Sequence, residues 1–313
     1  MMLFEFYYQR RSKIFYLFLV ITIFLSLIMF FSQFTLIGSN LRNFTLYADE
    51  ALRNGEDINL LLMDSFGVSF QNNMELIENP LKYYYMAYHS SLAAMNLQNG
   101  INQLLSSSFF VLFPFLAGIY GIVVANAEIK YQTSKIRISL ESQNKVNLNK
   151  IVASLLSLFL FLSAAIGTFL LLQSLSAFFI QLDETVNVDT SLIRQLSYLD
   201  RAPLQILVLF FVSFISFVVC FYATSILKNP LFVIFLLGIY NLALPPLGKY
   251  DLKDILLSIY PTLFNTNAST FRINTGSGVE LTIPLILGIC ILLSGYVFLM
   301  EYIQKRWSIP SEK

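Results

Sequence analysis

Residues 126–150 read NAEIKYQTSKIRISLESQNKVNLNK, a polar, basic segment between two apolar runs, 107–125 and 151–180, that carry no charge. An uncharged apolar run longer than about 18 residues reads as a membrane span. The segment is therefore the connection between two spans. Working outward, the apolar stretches 14–37, 203–227, 231–244 and 281–300 bring the set to six. Hydrophobic residues make up 56% of the chain, charged residues only 12%, and there are 30 Phe, a composition far from that of soluble domains. The sequence predicts an all-α polytopic membrane protein, a single transmembrane domain over residues 1–313 with six transmembrane helices.

The fifth run, 231–244, is the short one and ends at Pro245-Pro246. At 1.5 Å per residue it falls short of the roughly 20 residues needed to cross, and reads as a broken or partly re-entrant element. The first run, 14–37, follows Arg10, Arg11 and Lys13 and has no small-residue cleavage pattern after it. It is longer than the apolar core of a secretory signal, about 7–15 residues, and predicts an uncleaved anchor.

Orientation follows from the charges on alternate sides of the spans. One side, with both termini and residues 126–150, holds twelve bases against five acids; the other holds eight bases against fourteen acids. Both termini and the 126–150 segment are thus expected on the cytoplasmic side.

The six spans contain no acid or base. Ion-coupled carriers and intramembrane enzymes usually place ionisable groups at membrane depth, so both classes are disfavoured. His89, the single histidine, lies between the first two spans. Cys220 and Cys290 sit inside apolar runs and read as small buried hydrophobes. No GxxxxGK[ST] phosphate loop is present. The longest cytoplasmic segment is too short for a nucleotide-binding domain, so any work must come from a partner.

Residues 126–150 have the features of a force-transmitting connection. Ile129, Ile136 and Leu140, then Val146, Leu148 and Ile151, suit short amphipathic helices leading into the third span, with Lys130, Lys135, Arg137 and Lys145 among them. The run FPFLAGIYGIVVANAEIKYQTSKIRISLESQNKVNLNKIVAS resembles the corresponding region of type-2 ATP-binding-cassette (ABC) exporter permeases. There the second span ends in a Glu, a Gly-Thr pair follows, and a later Lys leads into the third span. The matching positions here are Glu128, Thr133, Arg137, Lys145 and Lys150; Gln132 stands where the family usually has Gly. The six-span plan and the aromatic, basic start MMLFEFYYQRRSK, suited to an amphipathic helix in the headgroup region, extend the likeness.

The resemblance implies a permease subunit in a bacterial cytoplasmic membrane, pairing with an identical or homologous second permease and with an ABC ATPase subunit beneath. Its only other partner would be the lipid bilayer; no nucleic acid is implied. This chain would hold no cofactor, since ATP and Mg belong to the ATPase, and would have no catalytic residue. Glu128, Lys130, Thr133, Lys135 and Arg137 would contact that ATPase through a cytoplasmic coupling helix. Gln173, Gln205 and Asn241, small polar groups within spans, are candidates for the translocation path.

Two extramembrane features complete the expectation. After Pro245-Pro246, YDLKDILLSIYP places Leu252, Ile255, Leu256, Ile259 and Tyr260 at helical spacing, a short amphipathic helix at the outer face stopped by Pro261. Residues 38–106 form a large outer loop with an acidic balance and the cluster Tyr83, Tyr84, Tyr85 and Tyr88. That surface suits cationic amphipathic peptides. The expected substrate is an antimicrobial or toxin-like peptide or a hydrophobic drug, with lipid or polysaccharide third in order. The alternative is a non-transporting sensor or immunity protein that holds a peptide on this loop.

Overall fold

Each apolar run becomes a helix because only a helix pairs every backbone N–H and C=O within one segment where water is absent. The computed structural model describes residues 2–11, 13–65, 67–71, 74–131, 142–181, 201–245, 251–264 and 283–308. Four of its helices are long and apolar enough to cross a membrane, over Ile14–Arg53, Phe109–Ala127, Asn144–Ser176 and Ala202–Leu227. Leu17, Val20, Phe24, Ile28 and Phe31 line one exposed face of the first, three or four residues apart. An apolar surface of this kind belongs in lipid rather than water. The chain is a helical membrane protein.

The N-terminal helix α1 (Met2–Arg11) turns at Lys13, which takes a left-handed conformation, into α2 (Ile14–Arg53). At 40 residues, or about 60 Å, α2 is about twice as long as a bilayer core is thick. The expected loop after residue 37 is thus, in its first part, a straight continuation of the first span. A Cβ added at Gly38 would meet nothing. Beyond α3 (Ile58–Met63) and a hairpin of β1 (Val68–Gln71) and β2 (Met74–Ile77), in which Val68 faces Ile77, α4 (Pro80–Ala94) returns along α2. Tyr84 stacks on Tyr47, Tyr85 packs on Phe44, and Asn40 donates to the Ala87 carbonyl, so the two helices run antiparallel as an arm.

A short re-entrant piece follows, a 3-10 turn (Leu97–Asn99) and α5 (Gly100–Leu105). It lies inside the bundle, with Leu104, Leu105 and Ser106 almost wholly buried. The 38–106 segment therefore ends within the protein rather than on its surface. Then come α6 (Phe109–Tyr131), α7 (Gln143–Gln181) and α8 (Ala202–Leu227). Lys228 in a left-handed conformation ends α8, and Asn229 caps α9 (Pro230–Gly238) by accepting from Phe232 N–H. A π-turn (Ile239–Ala243), α10 (Leu252–Leu263) and α11 (Ile283–Ser308) complete the order.

Parallel neighbours hold the bundle together. Phe15 and Phe161, Ser26 and the Ala165 carbonyl, and Phe30 and Phe169 pair along α2 and α7, which therefore point the same way. Likewise α8 and α11 meet through Tyr296 on the Val219 carbonyl and Tyr222 on Glu301. The closest contact is between α6 and α8. A Cβ at Gly121 would lie 2.5 Å from the Phe217 carbonyl oxygen, and one at Gly118 would lie 2.8 Å from Ser216 Oγ. Small residues let the two backbones touch, the usual device for packing helices in lipid.

At the base, Gln9 of α1 accepts from Tyr120 of α6 at 2.7 Å and from Ser157 of α7 at 3.2 Å, and donates to Ser154 of α7 at 3.0 Å. Asn147 near the start of α7 donates to Gln304 of α11, so the N-terminal helix and the far end of α11 both meet the first turns of α7. The end that carries α10 is opposite. There Tyr260 donates to the Ser106 carbonyl and packs on Phe110, at the start of α6.

Gly121→Ala should lower stability by about 1–3 kcal/mol through overpacking. Gly167→Ala, at a helical position where a Cβ would meet nothing, should be neutral or stabilising by up to about 1 kcal/mol. Thermal unfolding of the purified protein in detergent measures both.

Candidate functional site

An open cleft of about 370 Å³ lies between the first turns of α6 and the middle of α8 on one side and α9 and α10 on the other. It exists because α9 breaks. Pro245 disfavours helical backbone at the residue before it, and Leu244 is extended at ψ 135°. The helix widens into its π-turn and stops, so the apolar element runs from Pro230 through Ala243, as short as expected of the fifth run. The break leaves carbonyls without N–H partners, and Lys253 of α10 fills the gap, donating through Nζ to the Tyr240 and Leu244 carbonyls at 2.6 and 2.7 Å. Its ammonium also stands 5.4 Å from the centre of the Tyr240 ring. Asp251, the N-cap of α10, accepts from the Tyr240 hydroxyl at 2.6 Å.

Thus α10 is the amphipathic helix expected between Pro246 and Pro261, stapled to the break in α9. It runs through Pro261 and ends at Leu263, just past the expected stop. Only the last turn follows the proline, so one missing N–H bond suffices to accommodate it.

Phe110, Val111 and Pro114 wall the cleft on α6, Val212, Ile215 and Val219 on α8, and Leu256 and Leu257 on α10. Tyr240, Asn241 and Lys253 form one polar corner. Such a site accepts an aliphatic or aromatic body and orients it by a polar end. Cys220 lines it as a buried thiol.

Of the three span amides proposed for a path, Asn241 alone lines this cleft, and its Nδ2 also donates to the Leu237 carbonyl at 2.9 Å. Gln173 and Gln205 lie between helices instead. Gln205 Nε2 donates to Asn102 Oδ1 and the Leu263 carbonyl, at 3.0 and 2.8 Å. Gln173 Nε2 donates to the Ala94 carbonyl at 3.1 Å. With Gln103 donating to Gln33, and Asn99 to the Ala93 carbonyl, these side chains make a buried amide belt around α5. Within it Gln33 Nε2, Asn99 Oδ1, Gln173 Oε1 and Gln205 Oε1 find no hydrogen-bond partner among the described residues. Each such atom costs about 1–3 kcal/mol when buried. The belt was not legible in sequence, where residues 97–106 looked like the end of an exposed loop; the nearest signal was the run of amides from Gln98 to Gln103.

The coupling candidates divide. Glu128 and Lys130 fall in the last turn of α6, which extends to Tyr131. Thr133, Lys135 and Arg137 lie outside the described residues, as does the rest of 132–141 within the expected coupling element. On the far side of that gap Lys145 is exposed, whereas Lys150 is buried with Nζ 5.9 Å from the centre of the Phe221 ring. His89 packs against the rings of Tyr85 and Tyr88 in the arm.

The chain matches no protein-family model, no curated protein and no solved structure. What it does must be argued from its own geometry.

Lys253→Met removes the donor to the partly buried Tyr240 carbonyl and to the exposed Leu244 carbonyl, and should cost about 1 kcal/mol in thermal unfolding, with Lys253→Arg recovering most of it. A polarity-sensitive apolar fluorophore should bind the purified chain with a blue shift, and Leu257→Trp, which fills the cleft, should remove most of that signal.

Proposed function

We propose that the chain is the membrane-spanning permease subunit of a bacterial ABC exporter, moving a hydrophobic or amphipathic substrate with ATP hydrolysed on a separate subunit. One observation carries the reading: Gln9 joins α1 to both α6 and α7, the two helices that flank residues 126–150. A partner pressing on that connection moves α1, α6 and α7 as one body, and α6 forms a wall of the cleft.

In this reading α9 and α11 join the four long helices as the fifth and sixth spans. The base of the bundle, with α1 and residues 126–150, faces the cytoplasm, in keeping with the excess of Lys and Arg there. Glu128, Lys130, Thr133, Lys135 and Arg137 meet the ATPase, which holds ATP and Mg. A second permease subunit completes the path, and the cleft receives the substrate's apolar body. A peptide or drug fits such a cleft better than a polysaccharide, which would need a polar lining.

The test is purification of the tagged protein from its native membrane in mild detergent, with mass spectrometry and an ATPase assay of the eluate. A stoichiometric nucleotide-binding subunit is expected. Reversing charge at Lys135 and Arg137 together should reduce substrate-stimulated hydrolysis to the unstimulated rate while the protein stays folded. A lone, ATPase-free protein would overturn the reading in favour of a membrane sensor or immunity protein acting through the arm.

A further inference from the structure

The polar atoms without partners in the amide belt share a location that points to movement. Gln33 Nε2, Asn99 Oδ1, Gln173 Oε1 and Gln205 Oε1 come from α2, the 3-10 turn, α7 and α8, and all lie within or beside residues 97–105. All four side chains are at least nine-tenths buried. Buried polar atoms without a partner call for a specific account, and displacement of this segment supplies one.

Its attachments are those of a hinged part. Residues 97–105 are bounded by two non-helical turns, Met95 with Asn96 on one side and Ser106 with Ser107 and Ser108 on the other. Side-chain amides hold the segment to α2 and α8. Gly100 lies so close to α7 that a Cβ there would stand 2.1 Å from Gln173 Oε1 and 2.5 Å from Leu170 Cδ2. Leu97, half exposed, marks the outer edge of the piece, and Leu104 and Leu105 are its buried tip.

The tip leads directly into the cleft. Ser106 accepts from Tyr260 of α10, and Phe110, four residues on, lines the cleft wall.

We propose that residues 97–105 are a displaceable plug that closes the α10 end of the bundle, swinging on the turns at residues 95–96 and 106–108. When it swings out, the belt amides are exposed to solvent and the cleft opens at that end. The inference concerns the isolated chain and does not depend on the export reading.

Cysteine labelling tests it in a background of Cys220→Ser and Cys290→Ser. Leu104→Cys reports on the plug, and Ala153→Cys, equally buried near the base beside Ser154, reports on general unfolding. The purified protein in lipid vesicles is treated with a water-soluble maleimide, with and without Gly100→Ala, whose methyl group drives the plug from its seat. Gly100→Ala should speed labelling at position 104 by about 10- to 100-fold, the range expected of an overpacked site, and leave position 153 unchanged. Equal acceleration at both positions would overturn the proposal, because the plug would then open only with the whole bundle. An unchanged rate at position 104 would overturn it as well.

Discussion

At Gly121 the backbone of α6 runs against that of α8 with no room for a methyl group, and the rest of the bundle is arranged around this contact. Because the two helices touch there, Tyr120 is carried to the centre, where it packs on Phe18 of α2, Phe161 of α7 and Phe217 of α8 while its hydroxyl reaches Gln9. One turn back, Gly118 receives Leu237 of α9 as well as Ser216 and Cys220 of α8. The same Leu237, Ser216 and Cys220 line the cleft together with Pro114, and the break in α9 leaves it open. In lipid, where apolar side chains gain little by leaving their solvent for one another, such close packing and a few interhelical hydrogen bonds decide which helices associate.

Those hydrogen bonds are gathered at the two ends. At the base a single amide, Gln9, serves three hydroxyls on two helices. At the other end several amides surround α5 and leave part of their capacity unused. Among the described residues the unpartnered amide atoms gather at the α5 end, and Gln9 contributes none.

The apolar runs were plain in the sequence because length and absence of charge suffice to mark a helix in lipid. The break in the fifth was equally plain from Pro245-Pro246, and so was α10 from its spacing of Leu252, Ile255, Leu256 and Ile259. Other features depend on partners that a linear reading does not supply. Gly38-Ser39-Asn40 has the composition of a turn, yet the helix passes through it because Phe44 and Tyr47 find Tyr85 and Tyr84 on α4. Residues 97–106 alternate apolar side chains with amides and read as the end of a loop, but two of those amides bond to Gln33 and Gln205 from distant parts of the chain. Gln173 and Gln205 stood out as polar groups among apolar ones. Whether they face a path or a neighbouring helix is a matter of rotation about the helix axis, which one glutamine in an apolar run does not specify.

The parallel pairing of α6 with α8 also bears on how the protein is made. Successive spans enter a membrane in opposite directions, so two parallel helices are never consecutive, and the glycine face of α6 has no partner when it first emerges. Gly121 must wait until Phe217 has been synthesised, roughly 5–20 seconds at about 5–20 residues per second. Throughout that interval a helix shaped for close contact stands in lipid, or beside whichever protein guides its insertion, exposed to the wrong neighbours. The same holds for α2, which waits for α7. Assembly of this bundle is therefore a late event, completed only when most of the chain is already in the bilayer, and a truncated product would present its most adhesive surfaces uncovered.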